Sequence, residues 1–405
     1  MLQVVSGKIS YTFNQCQQCG ACVAVCPKGA LSFTLRNDRL KEIVVDTDKC
    51  ILCKRCVNVC PSHRKLLDNS YVDRFADKRY ALAYHLDNDI RYQSSSGGAC
   101  KTLIIESLKN DNVDAVYTLK RISDFPFAEG EFYTKDNLPD YDTIPNSVYH
   151  SITACSELKK IKKVHRLMIV GTSCQLYALE KASKGKYDEL IKVCIFCKQQ
   201  KTWESTRFFA KLMKEDIQNH VPSFVQYRGM GWPGKVCLNQ SKIPYSFASP
   251  LPFGRRLWTV PGCNVCGDPF GMEVGADLSL MDPWGIRKPN DLGETLITVH
   301  TDHGKELLGA TKLLGCEYKT YSEIKNALGL DDVERKRLCV PYFKGDMVSE
   351  NVSKACKAEL GQRRILQKVL MGCPSLPIIF YRILHKILPH KRDQILKLKR
   401  SSCDL

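Results

Sequence analysis

Cys16-Gln17-Gln18-Cys19-Gly20-Ala21-Cys22-Val23-Ala24-Val25-Cys26-Pro27 is followed by Cys50-Ile51-Leu52-Cys53-Lys54-Arg55-Cys56-Val57-Asn58-Val59-Cys60-Pro61. Both runs keep the spacing C-x2-C-x2-C-x3-C-P, which ligates a pair of 4Fe–4S clusters. A cubane needs four thiolates at the corners of a tetrahedron. Three cysteines spaced by two residues wrap one face, and a local chain cannot reach the far corner. The fourth cysteine of each run therefore serves the other cluster. Cys16, Cys19, Cys22 and Cys60 are assigned to one cluster, and Cys50, Cys53, Cys56 and Cys26 to the second. Pro27 and Pro61 stop each short helix just past the crossing cysteine. A pair of zinc sites or a disulfide scaffold is the plain alternative, but zinc needs only four ligands and spaces its pairs farther apart.

Working outward, Ala30-Leu31-Ser32-Phe33 and Glu42-Ile43-Val44-Val45 alternate like short strands. With the two cysteine helices they predict a ferredoxin-like domain over residues 1–70, whose chemistry is electron transfer. A polar connector follows through Asp77. Beyond it Ala115-Val116-Tyr117, Leu167-Met168-Ile169-Val170 and Leu296-Ile297-Thr298-Val299 have strand character, and Leu103 to Leu108 and Ser205 to Met213 have helical character. The body over 80–345 is expected to be α/β or α+β.

The 405 residues allow two or three domains. Hydrophobic content of 44% and charged content of 25% are ordinary for a globular protein. No signal peptide precedes the first cysteine run, so the 21 cysteines do not point to a secreted disulfide protein. No apolar stretch reaches the ~18 residues of a membrane span. The expected location is the cytoplasm. A net charge of +17 fits nucleic acid, an acidic protein partner or an anionic membrane surface. The basic residues are spread through the chain rather than interleaved with stacking aromatics, which argues against nucleic acid.

More cysteines stand at strand ends and in turns: Gly171-Thr172-Ser173-Cys174-Gln175, Cys194-Ile195-Phe196-Cys197 and Cys263-Asn264-Val265-Cys266. On the residues alone, Cys194, Cys197, Cys263 and Cys266 make a four-cysteine zinc knot, a reading that strands Cys174. Buried cysteine is also a common small hydrophobe. Ser94-Ser95-Ser96-Gly97-Gly98 reads as an anion-binding turn before a helix or as a simple helix cap. The run Gly229-x-Gly231-x-x-Gly234-Lys235 imitates a dinucleotide fingerprint and a phosphate loop. Both need a strand before and a helix after, and Pro233 and the strand-like Lys235-Val236-Cys237-Leu238 exclude them. The stretch reads instead as a strand–turn–strand corner.

These stretches carry a resemblance. Residues 80 to about 335 resemble the beta subunit of the coenzyme F-420-reducing hydrogenase and formate dehydrogenase family. The matching pieces are Ser94 to Ala99, Val113 to Val116, Gly171 to Gln175, Ile195 to Cys197, Tyr227 to Lys235, Cys263 to Cys266 and Gly275-Ala276-Asp277-Leu278-Ser279-Leu280-Met281-Asp282-Pro283-Trp284-Gly285. The resemblance implies an iron–sulfur flavoprotein. Its further 4Fe–4S cluster maps onto Cys174, Cys197, Cys263 and Cys266, leaving Cys194 to packing. It implies FAD, with Ser94, Ser95, Ser96, Gly97 and Gly98 as cofactor contacts and Asp277, Ser279, Asp282 and Trp284 as weaker candidates. Asp282-Pro283 also reads as a turn and Trp284 as core. Members pass electrons through the flavin to a two-electron acceptor, and some bacterial ones are associated with surface-polysaccharide synthesis. Whether the deazaflavin F-420 is used, these residues do not decide.

Two departures stand out. Where members carry Ser-Lys-Tyr, this chain reads Asn146-Ser147-Val148-Tyr149-His150, and Ser173 replaces a proline, with local turn stiffness as the expected consequence. Tyr149 and His150 are nearby candidates for acid–base work, although a lone His is more often structural. From residue 346 a basic amphipathic helical tail is expected, with Phe380, Ile383, Leu384, Ile387 and Leu388 on one face. It docks on the body or a partner, or lies on the inner face of the membrane. The leading expectation is an oxidoreductase with a small-molecule acceptor and a redox partner protein. An electron-input subunit without its own substrate is the alternative.

Overall fold

The computed structural model describes residues 1–66, 69–217, 220–287, 292–372, 380 and 383. The N-terminal unit holds two hairpins, β1 (Leu2–Val5) with β2 (Lys8–Tyr11) and β3 (Leu31–Leu35) with β4 (Lys41–Val45). The second is the pair expected from alternation; the first is an addition to it. Each cysteine run enters a one-turn helix, α1 (Ala21–Ala24) and α2 (Arg55–Asn58). Left-handed backbone starts both, at Gly20 (φ 89°) and Lys54 (φ 59°), and folds the three-cysteine loop back on itself. A side chain at Gly20 would put its Cβ 2.8 Å from Thr153 Cβ, so glycine is what lets this loop press against the body.

In chain order the body's strands are β5 (Arg79–His85), β6 (Ala115–Arg121), β7 (Ala128–Thr134), β8 (Arg166–Gly171), β9 (Glu189–Ile195), β10 (Val225–Gln226), β11 (Lys235–Leu238), β12 (Ser241–Pro244), β13 (Leu278–Met281), β14 (Thr295–Val299) and β15 (Leu314–Lys319). One eight-stranded sheet has the order β15-β5-β14-β13-β9-β8-β6-β7, and β10-β11-β12 form a small antiparallel sheet. β6, β8, β9 and β13 run parallel at the centre, with antiparallel strands on both flanks. The fold is mixed α/β, as expected.

Alternation explains the two covered faces. Val116, Met168, Val170 and Val193 face one core, shared with α4 (Ala99–Lys109), which follows the short helix α3 (Asn88–Gln93). Ala115, Tyr117, Leu167, Ile169 and Cys194 face the other, under α5 (Ser173–Ser183). A third core is aromatic: Trp203, Phe208 and Phe209 of α6 (Trp203–Met213) pack with Trp258 and the small sheet. Leu366 and Leu370 of the C-terminal helix Glu350–Gly372 also enter it. The first part of the tail is therefore docked on the body. Phe380 and Ile383 are exposed, and the rest of the expected tail helix lies outside the described residues.

The polar connector is corrected. Ser62, Arg64, Tyr71 and Phe75 are buried, and Phe75 lies 4.6 Å from Phe270 between ring centroids. The segment is threaded through the core because its few large side chains are taken up by partners remote in sequence. Among the described residues no helix is long and apolar enough to cross a membrane.

Candidate functional site

The two cysteine runs build two hollows. One, of about 420 Å³, is lined by Cys16, Cys19, Cys22 and Cys60. The other, of about 360 Å³, is lined by Cys50, Cys53, Cys56 and Cys26. Each hollow thus takes three cysteines from one run and the last from the other. Backbone and amide N–H groups point at the sulfurs: Ala30 donates to Cys26 Sγ at 3.2 Å and Gln18 Nε2 to Cys16 Sγ at 3.6 Å. Such bonds tune a cluster's potential.

Parallel strands carry their ligands beyond their carboxyl ends, and the remaining thiols sit there. Cys174 follows β8 and Cys197 follows β9, while Cys263 and Cys266 come from the turn around Pro261–Val265. Cys263 and Cys266 are buried and Cys197 is half-buried. The Cys174 and Cys263 thiols are raised first by burial and also by others of the set, Cys174 by Cys266 and Cys197, and Cys263 by Cys266. Cys197 is pushed up to about 12, first by burial and then by Cys263. As free thiols Cys174, Cys197 and Cys263 stay protonated, so binding iron is coupled to losing their protons. Lys336 and Arg256 stand close enough to oppose this at Cys263. Gln200 N–H donates to Cys263 Sγ at 3.2 Å. Cys194 points away, toward the carbonyls of Ile195 and Pro269 and over Gly271. Burial is the first cause raising the Cys194 thiol, but Cys194 is nonetheless near enough to Cys197, Cys174 and Cys266 for each to raise it as well.

This third set abuts the first. Cys155 N–H donates to Cys19 C=O at 2.8 Å, and the Cys155 thiol reaches the Gln175 carbonyl, next to Cys174, at 3.9 Å. A Cβ on Gly262 would overlap the carbonyl of Cys16, so Cys263 enters directly behind the first run. Arg64, buried, closes the seam. It donates to Ser173 Oγ at 2.8 Å and Asp268 Oδ2 at 3.3 Å, and reaches Cys266 Sγ at 4.0 Å. Tyr71 and Ser173 also donate to Asp268, at 2.8 and 2.7 Å. The hydroxyl at position 173 thus bridges unit and body, a role beyond turn stiffness.

A second centre lies past the end of β13. Arg228, fully buried, uses its whole fork. Nη1 donates to Asp282 Oδ2 at 2.7 Å and to Tyr149 Oη at 3.0 Å; Nη2 donates to Asp282 Oδ1 at 2.9 Å and to Ser95 C=O at 2.8 Å; Nε donates to Pro233 C=O at 2.6 Å. Asp282 also accepts from Ser96 Oγ, Trp232 Nε1 and Trp284 Nε1 at 2.8, 2.9 and 3.1 Å. Burial pushes the Asp282 carboxyl up, and Arg228 with the other donors outweighs this and holds it below the usual range. The two indoles, fixed by one carboxylate, lie 4.8 Å apart between centroids at a tilt of 41°, and Tyr245 stacks with Trp284 at 6.5 Å. Trp284 is 41% exposed, so it is a shelf at the surface rather than core.

The predicted contacts divide. Ser95, Ser96, Asp282 and Trp284 meet at Arg228. The serine hydroxyls of the turn are engaged by protein: Ser95 accepts from Ser147 N–H at 2.8 Å, and Ser96 donates to Asp282 and to Glu294 C=O. Gly97 and Gly98 hold positive φ, and a Cβ on Gly97 would overlap Gly293 C=O. Ser94 is buried beside Gly98. Asp277 lies at the opposite end of β13, accepting from Lys192 N–H and Thr301 Oγ1. Ser279 points into the sheet's packing against His300 at 2.6 Å. Neither stands at the Arg228 centre. His150 is a satisfied core histidine: its ring lies 2.7 Å from Tyr227 Oη and 2.8 Å from Pro126 C=O, and burial lowers it to about 4. Arg228, Trp232, Tyr245, Arg64 and Cys155 were not singled out from sequence. Arg228 and Trp232 lie within the Tyr227 to Lys235 piece of the resemblance, but no role was drawn for either from it.

Residues 15–63 match the 4Fe–4S dicluster domain, and residues 42–93 match a second description of it. Residues 164–325 match the C terminus of the coenzyme F420 hydrogenase/dehydrogenase beta subunit. The coenzyme F420-dependent sulfite reductase of Methanocaldococcus jannaschii is 23% identical over 346 residues, covering 80% of this chain and 48% of that one. The chain thus spans about half the length of that relative. A ferredoxin-like protein in the nif region of Rhizobium leguminosarum bv. trifolii is 43% identical over 54 residues, 12% of this chain and 77% of that one. Among solved structures, a chain of the F420-reducing NiFe hydrogenase complex from Methanosarcina barkeri aligns over 69% of this chain and 94% of its own, at 16% identity and a TM-score of 0.49. Fold and thiol sets define an iron–sulfur electron-transfer protein. An N-terminal 4Fe–4S dicluster domain is followed by a body whose residues 164–325 are similar to the C terminus of the coenzyme F420 hydrogenase/dehydrogenase beta subunit.

Proposed function

We propose that the chain is an iron–sulfur flavoprotein oxidoreductase with three 4Fe–4S clusters and one FAD. The observation that carries this is the convergence of Cys174, Cys197, Cys263 and Cys266 directly behind Cys16 and Cys19, with Arg64 and Lys336 as counter-cations. Buried thiolates on a cubane need such positive neighbours.

The Arg228 centre supports the flavin. Trp284 and Trp232 offer two indole faces held in place by the Asp282 carboxylate. Asn146 donates to Gln93 C=O at 2.8 Å and Arg228 C=O at 3.1 Å, which leaves its buried Oδ1 without a protein donor. An orphaned acceptor of this kind fits the imide N–H of a flavin ring. When bound, FAD supplies the conversion between one-electron and two-electron chemistry. Arg228 and Asp282 fix the shelf, and Tyr149 presents a hydroxyl there. Phe253 packs beside this shelf, 4.7 Å from Tyr149 between centroids. The small organic acceptor, a sugar-linked intermediate or the deazaflavin among the candidates, rests on resemblance alone, and cytoplasmic location is likewise proposed.

Anaerobic purification with iron, sulfide and flavin assays tests this. About twelve irons, four per cluster, and one FAD are expected; about eight irons without flavin overturns the assignment of the body.

A further inference from the structure

The two cysteine runs are near-copies, yet their equivalent loops have opposite surroundings. In the first, Gln17 and Gln18 between Cys16 and Cys19 are buried, and Gly262 of the body lies against the Gln17 amide. In the second, the matching residues Ile51 and Leu52 are 58% and 39% exposed. Polar residues are buried in one copy and apolar residues exposed in the other. Both loops use left-handed backbone, at Gln18 (φ 60°) and Leu52 (φ 53°), a strained conformation for a non-glycine residue. The first loop spends that strain on docking to the body. The second has no such neighbour among the described residues.

The rim of the second loop is basic. Lys28, Lys54 and Arg55 line the hollow of Cys26, Cys50, Cys53 and Cys56, and all three are exposed. None carries an ion pair among the described residues, whereas Lys49 and Asp46 nearby neutralise each other at 2.8 Å. Cys53 itself is exposed, so this sulfur lies within reach of a docked molecule. An apolar centre with a rim of one sign is the form of an electrostatically steered, transient interface.

We propose that Ile51 and Leu52, ringed by Lys28, Lys54 and Arg55, form the docking face for an acidic one-electron carrier protein. The proposal rests on the reading that Cys26, Cys50, Cys53 and Cys56 hold a cluster. The reduced carrier gives one electron to the oxidised cluster, and no bond is made or broken. The face is the outermost of the three thiol sets, and its chemistry selects the partner by charge.

The test uses the full chain, purified anaerobically and oxidised, with a plant-type 2Fe–2S ferredoxin as the acidic probe. Stopped-flow bleaching follows reduction of the chain by the reduced probe and, separately, by dithionite. The ferredoxin rate is expected to fall about tenfold or more between about 50 mM and about 500 mM salt. The variant Lys28→Glu/Lys54→Glu/Arg55→Glu is expected to lose about tenfold at low salt and to lose the salt dependence, and Ile51→Ser/Leu52→Ser to slow reduction at every salt concentration. Iron content and dithionite reduction are measured on both variants, and a ferredoxin rate lost while these are kept is the result that supports the docking face. A charge-reversed variant reduced by ferredoxin at the wild-type rate, or a wild-type rate indifferent to salt, overturns the docking face. A wild-type chain that dithionite itself cannot reduce overturns the cluster reading beneath it.

Discussion

At the residue scale, Cys155 ties the first thiol set to the third without belonging to either. Its thiol donates to the Cys19 sulfur, which lowers the Cys19 thiol first of all, ahead of the opposing effect of burial. Hydrogen bonds to cluster sulfurs stabilise the reduced, more negative state. Cys155→Ala is therefore expected to shift the potential of the Cys19 cluster about 40 mV more negative, the equivalent of about 1 kcal/mol, with iron content unchanged. A redox titration followed by electron paramagnetic resonance checks it; an unmoved potential removes Cys155 from the cluster's electrostatics. His150 makes a pH prediction. Burial lowers it to about 4 in the native state, against an ordinary value near 6.5. The unfolded chain then binds the proton first, so stability is lost as pH falls from about 6.5 toward 4, by at most about 3 kcal/mol. Denaturant midpoints at pH 7 and pH 5 are expected to differ in that direction, and His150→Gln to flatten the difference. What was legible at this scale was local. The crossing of Cys26 and Cys60 follows from spacing, whereas Cys155 looked like any buried cysteine because its partners lie far along the chain.

At the scale of elements, the Arg228 clamp holds together pieces that periodicity cannot connect. The turn after α3, the corner before β11 and the end of β13 are drawn together by one guanidinium and one carboxylate. The apolar runs of β6, β8 and β14 and the helices α4 and α6 were readable because each buries a regular stripe. Arg228 was not, since a charged residue among glycines reads as exposed, and its burial depends on Asp282, 54 positions on. Tyr71 and Phe75 were hidden for the same reason, in short turns without a period. Breaking a buried pair by neutralising one partner costs about 3–5 kcal/mol, and the 18% exposure of the Asp282 side chain places this one at the lower end. Asp282→Asn is expected to lower the thermal midpoint by several degrees and to release flavin while all the iron stays. Iron and flavin assays on the same preparation decide. Flavin retained at wild-type stoichiometry would detach the cofactor from this shelf.

At the scale of the whole molecule, the thiol sets lie in a row, from the exposed loop at Ile51 to the strand ends of the body, and Arg64 holds the N-terminal unit and the body in register. Its guanidinium sits between Ser173, Asp268 and Cys266, its own carbonyl accepts from Lys344 Nζ at 2.8 Å, and burial together with Asp268 keeps it paired rather than solvated. Truncating it leaves the fully buried Asp268 with only the hydroxyls of Tyr71 and Ser173, a loss of about 3–5 kcal/mol. That loss falls on the seam and not on either core, because the N-terminal unit keeps its own apolar cluster of Leu2, Ile9, Leu31 and Ile43. Arg64→Ala is therefore expected to let the N-terminal unit loosen as a piece, with a separate early step in thermal unfolding. The two N-terminal clusters remain reducible by dithionite. Electron passage from them into the body slows, since tunnelling depends steeply on how closely the first and third thiol sets are held. Arg64→Lys restores charge but not the fork, and a lysine cannot meet Ser173 and Asp268 together. It should recover part of the stability and little of the rate. A single unfolding transition at the wild-type temperature for Arg64→Ala would show that the seam is held by Gly262, Cys155 and the Lys41–Thr153 contact without it.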